Sequence, residues 1–94
     1  MMQIADYLSR GRVNAVPLRY LVMMTGVEER SIRRMIEKER RAGTPILADN
    51  ETGYFLPVNE MEKDRCVQSM RHRANEIMVT AEALAAASVE AGDR

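Results

Sequence analysis

The residues best suited to chemistry in this sequence are basic side chains between positions 30 and 41. Ile32 and Ile36 define one face of a predicted helix, and at about 100° per residue the basic side chains fall on the opposite face. An arginine there can donate two hydrogen bonds to a guanine edge or neutralise a phosphate. The outward residues are Arg30, Arg34, Glu37 and Arg41, flanked by Arg33 and Lys38.

The same residues also suit a helix face that simply meets solvent. Glu29 with Arg33, and Glu37 with Arg41, have the i, i+4 spacing and order that favour surface ion pairs. Acidic residues at the start of a helix are also favourable for its dipole. The helix alone therefore leaves DNA contact and a solvated face equally open.

No set of residues predicts catalysis. Cys66 has no basic partner fixed near it by spacing, so we interpret its thiol as a small apolar group. His72 lies between two arginines and is interpreted as a surface residue. The sequence has no paired-carboxylate site, no metal-ligand cluster and no Gly-rich phosphate loop. We therefore expect no enzymatic activity, no metal, no cofactor and no small-molecule ligand.

Two helices joined by a tight turn must position the basic face. Pro17 fits the first position of the first helix. Gly26 allows the left-handed backbone of a sharp turn, and Gly43 suits a left-handed C-cap after the second helix. Such a pair is the helix-turn-helix arrangement. It holds the second helix by one face and leaves the other free to enter a major groove.

The segments on either side complete a small head. Residues 1–10 predict a short first helix with Ile4, Tyr7 and Leu8 on one side and Gly11 as its C-cap. Residues 13–16 precede a proline, so we expect them to be extended and able to pair with a later strand.

After residue 43 the apolar pattern changes to a period of two. Strands at 44–48 and 54–56, joined by a Gly-containing loop at 49–53, predict a β-hairpin. The alternation directs Ile46, Tyr54 and Leu56 towards the core and Phe55 outwards.

Three helices followed by a hairpin form a winged helix. The run TGVEERSIRRMIEKERRAGTPILADNETGYFLP resembles the winged-helix DNA-binding domains of bacterial regulators, in particular the biotin-operon repressor and deoxyribose-operon repressor class. The resemblance covers about residues 15–57, and the layout of the whole chain looks like small prophage-type winged-helix proteins of Gram-positive bacteria. The matching features are the Gly-Val turn, Ser31-Ile32-Arg33-Arg34, Ile36, Ala42-Gly43-x-Pro45-Ile46 and Gly53-Tyr54-x-Leu56-Pro57.

This resemblance implies binding to double-stranded DNA. The residues matching the family's DNA readers are Glu29, Arg30, Ser31, Arg33 and Arg34. Lys38 and Arg41 continue the same face, which completes the predicted DNA-binding set. The hairpin loop carries Asp49 and Glu51 where DNA-gripping wings are basic, so we expect this loop to lie away from DNA or at its edge.

A long helix is predicted after the hairpin. Asn59 and Glu62 form a capping-box pattern, and the helix should run for some 30 residues to about Glu90 before Gly92 ends it. Apolar and small residues recur at spacings of three and four, as in a coiled-coil seam. The predicted dimerisation residues are Val67, Met70, Ala74, Ile77, Ala81 and Leu84. A helix of roughly 45 Å exceeds a head of about 25 Å, so a second copy is the simplest partner.

Length and charge set the broad limits. The 94 residues divide into a winged helix-turn-helix domain at 1–58 and a dimerisation helix at 59–94. The formal net charge is zero, but the charge is unevenly distributed. Residues 1–43 hold nine basic and five acidic residues, whereas residues 44–62 hold four acidic residues and no basic ones. No apolar run approaches the ~20 residues of a membrane span. The single cysteine favours a reducing, cytoplasmic setting.

Two functions stay open at this level. The first is a dimeric, sequence-specific DNA-binding protein, either a transcriptional regulator or a phage recombination or replication accessory. The alternative is a protein-interaction module that uses a winged-helix scaffold and assembles through the long helix. Zero net charge, the acidic loop and an outward Phe55 favour the alternative.

Overall fold

The computed structural model describes residues 2–89. It confirms a mainly helical fold with a small β-hairpin and a long C-terminal helix. Two short 3₁₀ helices come first, and a two-stranded antiparallel sheet separates the last two α-helices. The elements in order are the 3₁₀ helices Ile4–Tyr7 and Arg12–Asn14, then α1 Leu18–Thr25, α2 Glu29–Arg41, β1 Leu47–Asp49, β2 Gly53–Phe55 and α3 Glu60–Ala86.

One cluster of buried side chains holds the elements of the head together. It contains Ile4, Leu21, Ile32, Ile36 and Ile46, each at most 2% exposed. These residues come from the first 3₁₀ helix, α1, α2 and the segment leading into β1, so each of these parts contributes to one core. The predicted inner face of α2 is therefore buried, and α2 is held by that face.

The turn between α1 and α2 has the predicted geometry. Gly26 has φ +72°, in the left-handed region, and its N–H donates to the Val22 carbonyl. The Thr25 hydroxyl donates to the Leu21 carbonyl at 2.6 Å and accepts from the Val27 N–H at 3.1 Å. Pro17 is the N-cap residue of α1 rather than its first helical residue, so the helix begins one residue later than predicted.

The end of α2 also follows the prediction. Gly43 has φ +108°. Its N–H donates to the Arg40 carbonyl at 3.0 Å, and the Thr44 N–H donates to the Glu39 carbonyl at 2.9 Å. This pair of bonds is a Schellman motif. The Arg40 Nε–H then donates to the Ile46 carbonyl at 2.7 Å, which fixes the approach to β1.

The predicted first helix is wrong in extent. Only four residues are helical, with 3₁₀ geometry, and Leu8 rather than Gly11 ends them. A carboxylate of α2 supplies the cap from a distance: Glu39 accepts from the Ile4 N–H at 2.7 Å and from the Ala5 N–H at 3.0 Å. Gly11, with φ +93°, instead starts the second 3₁₀ helix.

The expectation of an extended segment at 13–16 holds only for its second half. Val13 and Asn14 belong to the second 3₁₀ helix, whereas Ala15 is extended. Val16 pairs with β2 as predicted: its N–H donates to the Tyr54 carbonyl at 2.8 Å, and it accepts from the Tyr54 N–H at 2.9 Å. This pairing brings the Val16 backbone directly against Gly53.

The hairpin strands lie at Leu47–Asp49 and Gly53–Phe55, so the first is shorter than predicted and the second begins one residue earlier. Ile46 is buried, and Tyr54 and Leu56 pack partly buried against the core, as expected. The prediction of an exposed, outward-pointing Phe55 is wrong, because this residue is only 4% exposed.

The first turns of α3 explain the burial of Phe55. Phe55 pairs with Leu47 across the ladder, and Leu47 is also buried. Glu62, Arg65 and Cys66 of α3 line a cleft with Phe55, and the Cys66 thiol points to the Ala48 carbonyl at 3.9 Å. The hairpin is therefore covered on both faces, by the core on one side and by α3 on the other.

The start of α3 forms a modified capping box. Asn59 accepts from the Glu62 N–H at 2.9 Å, as predicted. The Glu62 carboxylate does not return to Asn59 but accepts from the Val58 N–H at 3.0 Å and the Arg12 N–H at 3.2 Å. The helix ends at Ala86, earlier than the predicted Glu90, which lies outside the described residues together with Gly92.

Replacing Gly53 by alanine should destabilise the head more than replacing Gly26. A Cβ at Gly53 would lie 2.3 Å from the Val16 carbonyl oxygen, in addition to the strain of φ +112°. At Gly26 the described residues leave open space, so only the left-handed backbone costs energy, about 1–2 kcal/mol. Urea denaturation of both variants measures the difference, and equal losses would contradict the close approach at Val16.

Replacing Glu39 by alanine should lower the free energy of unfolding by about 1.5–3 kcal/mol, because two backbone N–H groups lose a charged acceptor. Glu37→Ala is the matched control, since that carboxylate is exposed on the opposite face of α2 and should change stability by less than about 0.5 kcal/mol. Denaturant titration of both variants tests the cap. Similar midpoints would show that Glu39 does not hold the N-terminal segment.

Candidate nucleic-acid interface

The outer face of α2 forms one continuous open surface. Six of the seven predicted DNA-binding residues line it, together with Glu37. All of these side chains are exposed, whereas Ile32 and Ile36 on the opposite face are buried. The residues of this surface, called here the α2 outer face, are Glu29, Arg30, Arg33, Arg34, Glu37, Lys38 and Arg41.

Ser31 is the predicted residue that lies apart from this surface. It is half-buried near the start of α2, and its hydroxyl donates to the Glu28 carboxylate at 3.3 Å. Glu28 is the N-cap residue, but among the described residues its side chain makes no cap hydrogen bond to a backbone N–H. In this structure the Ser31 hydroxyl therefore contacts the N-cap residue of its own helix and does not line the α2 outer face.

Positive charge dominates the α2 outer face, with five basic and two acidic side chains. Arg33 pairs with Glu29 at 3.7 Å, but both side chains are more than half exposed, so solvent screens this pair. Glu37 and Arg41 do not pair, although their spacing allows it. Four cations of the α2 outer face make no hydrogen bond or ion pair with any described residue: Arg30, Arg34, Lys38 and Arg41.

Arg19 extends the basic surface and was missed by the sequence interpretation. It lies exposed in the first turn of α1 and lines a depression with Arg33 and residues 48–54 of the hairpin. No hydrogen bond or ion pair engages its guanidinium within the described part of the chain. Its sequence position could have identified it, because Arg19 follows Pro17 by two residues and so falls in the first turn of the first helix of the predicted pair.

The acidic hairpin loop has a partner within the head. Arg12 forms an ion pair with Asp49 and lies 3.9 Å from the Glu51 carboxylate. Asp49 also accepts from the Glu51 N–H at 2.8 Å. This backbone hydrogen bond, helped by the Arg12 charge, lowers the pKa of Asp49 below its ordinary value. Asp49 therefore ties the hairpin to the N-terminal segment.

The predicted dimerisation residues all lie on α3. Val67 is half-buried next to the head, and every residue from 68 to 86 is exposed. Met70 is 42% exposed, Ile77 68% and Leu84 71%. The three large residues and the two alanines at 74 and 81 thus form an uncovered seam.

A shallow depression marks the middle of this seam. Its lining includes Ile77, Thr80, Ala81 and Leu84, at positions i, i+3, i+4 and i+7. Four residues at these spacings form the hole that accepts a side chain from a facing helix in a coiled coil.

Two properties of residues 2–89 bear on other functions. No group of three or more His, Cys, Asp and Glu side chains is placed to hold a metal ion in this part of the chain. No helix described by the structure is long and apolar enough to cross a membrane.

Comparisons with known proteins identify no relative. No protein-family model matches the chain, and neither the curated proteins nor the solved structures give a significant match. The geometry of the site therefore carries the functional argument.

Asp49 should stabilise the fold in a pH-dependent way. Because its pKa is lower in the folded protein, the stabilisation is present at neutral pH and is lost as the pH falls through that lowered pKa, below about pH 4. Asp49→Asn should therefore lower the melting temperature at pH 7, and the difference from wild type should shrink in acid. Glu51→Gln is the control and should change little, since that side chain is 84% exposed. A pH-independent difference would contradict the ionic role of Asp49.

Proposed function

We propose that this protein binds double-stranded DNA sequence-specifically as a winged-helix homodimer, acting as a transcriptional regulator or a phage recombination or replication accessory. The observation that carries the proposal is the set of unpaired cations on the α2 outer face. A helix held rigidly by Ile32 and Ile36 presents them together, in the arrangement that a recognition helix needs.

The dimensions of α2 suit the major groove. Its 13 residues span about 20 Å, and a groove of about 12 Å width admits an α-helix. Arg30, Arg33 and Arg34 in the first half of α2 are assigned to base edges and nearby phosphates. Lys38 and Arg41 follow one and two turns later and are assigned to phosphates.

Arg19 adds a phosphate contact at the start of α1. It lies on the same depression as Arg33, so both guanidinium groups can meet one strand of the duplex. The hairpin loop takes no part in gripping DNA in this proposal, because Asp49 is engaged by Arg12 and would repel phosphates.

The alternative of a protein-interaction module loses two of its three supports. Phe55 is buried rather than outward, and Asp49 of the acidic loop pairs with Arg12 within the head. One new observation favours it: Tyr20, Met23 and Met24 of α1 are 48–71% exposed and form an apolar patch. DNA binding measured against salt distinguishes the two functions.

Binding to random-sequence duplex DNA should weaken steeply with salt, with a log–log slope near 0.9 per phosphate neutralised. Arg34→Ala should cost about 1–3 kcal/mol of binding free energy on a selected site, because an unpaired arginine of the α2 outer face is lost. Fluorescence anisotropy with labelled duplexes, over a salt series, measures both quantities.

Lys63→Ala is the matched control. It also removes one positive charge, but from the first turn of α3, where Lys63 pairs with Glu60. We expect it to bind like wild type. A flat salt response, or equal binding by Arg34→Ala and wild type, would remove the major-groove proposal and leave the α1 apolar patch as the better-supported interface.

A further inference from the structure

The exposed part of α3 alternates large and small residues along its seam. The large residues are Met70, Ile77 and Leu84, and the small ones between them are Ala74 and Ala81. In the heptad notation of a coiled coil, Val67 and the alanines occupy a, whereas the large residues occupy d. This regular inequality between a and d determines which orientation of two helices packs well.

A parallel, in-register pair would pack this seam poorly. It places a opposite a and d opposite d, so Ala74 and Ala81 would each face their own copy. Layers of paired alanine leave voids, while layers of paired Ile77 and Leu84 hold the helices apart. Facing positions that alternate large and small side chains interdigitate more densely than this.

An antiparallel pair matches large with small in its central layers. Antiparallel helices place a opposite d, so Met70 meets the partner's Ala81 and Ala74 meets the partner's Ile77. Val67 then meets the partner's Leu84 at each end. This register uses all six seam residues in six layers, and its two-fold axis passes between Asn75 and Glu76.

Charge also favours the antiparallel pair. Arg71 and Arg73 flank the seam at positions e and g. In a parallel pair, all four arginines of the two copies would lie within one helical turn. Their separations would be below or close to the Debye length of about 8 Å, so salt would not fully screen the repulsion between them. In the antiparallel register Arg71 instead faces the partner's Met78, and Arg73 faces the partner's Thr80.

We propose that two copies of this chain pair antiparallel through residues 67–84 of α3, so that the two heads lie at opposite ends of the paired helices. This inference rests on the homodimer of the proposed function but not on DNA binding. The exposed seam and its depression at Ile77, Thr80, Ala81 and Leu84 provide the contact surface.

Spin labels along α3 test the orientation. In a Cys66→Ser background, single cysteines replace Gln68, Asn75 or Ala83, which are exposed and point away from the seam. At 1.5 Å per residue and 8–10 Å between axes, the antiparallel register separates the two backbones by about 25 Å at 68 and at 83, and by about 10 Å at 75. Double electron–electron resonance and continuous-wave broadening measure these separations.

The pattern of the three distances decides the result. A short distance at 75 with long distances at both 68 and 83 supports the antiparallel pair. Short distances at all three positions would show a parallel dimer and overturn this inference without affecting DNA binding. An absence of any coupling, with monomer mass in light scattering, would overturn both this inference and the proposed homodimer.

Ile77→Asp in each labelled protein is the control. It places a charge in the two central layers, so coupling should disappear and light scattering should report monomers. Because Ile77 is 68% exposed in the single chain, the head should stay folded by circular dichroism. Coupling that persists unchanged in Ile77→Asp would show that the copies meet elsewhere and would contradict the proposed seam.

Discussion

The hydrogen bonds between the Glu39 carboxylate and the N–H groups of Ile4 and Ala5 fix the geometry of the head. They join the last turns of α2 to a segment 35 residues earlier, where a four-residue 3₁₀ helix is too short to be stable alone. Ile4 is thereby kept in the core, against the same helix. The inner face of α2 thus organises the head, which leaves its outer face available to a partner.

Local backbone signals explain which elements were predictable from the sequence. Gly26, Gly43 and Asn59 each require or favour a particular turn or cap, so the ends of α1 and α2 and the start of α3 were predicted well. The failures are long-range. Nothing near Phe55 in sequence indicates that α3 covers the second face of the hairpin, and nothing near Ile4 indicates a cap from Glu39. Arg19 was missed because its proposed role depends on the position of Arg33 in the fold.

Zero net charge is compatible with a basic binding surface because several acids are used inside the head. Glu39 and Glu62 accept backbone hydrogen bonds, and Asp49 pairs with Arg12. None of these carboxylates lines the α2 outer face, where basic side chains outnumber acidic ones. The formal sum over the sequence therefore conceals a separation of charge that the fold creates.

One of these acids, Glu62, also fixes α3 to the head. The Glu62 carboxylate accepts hydrogen bonds from the Val58 and Arg12 N–H groups, and the Arg10 guanidinium donates to the Pro57 carbonyl at 2.9 Å. These bonds hold Pro57 and Val58, the residues that connect the hairpin to α3, against the N-terminal segment and α3. Phe55 and the first turns of α3 then pack around the hairpin. Because these contacts hold α3 at one angle to the head, pairing of two α3 helices would also set the distance between two α2 outer faces. In the proposed homodimer, self-association would therefore set the spacing of the two halves of the proposed DNA site.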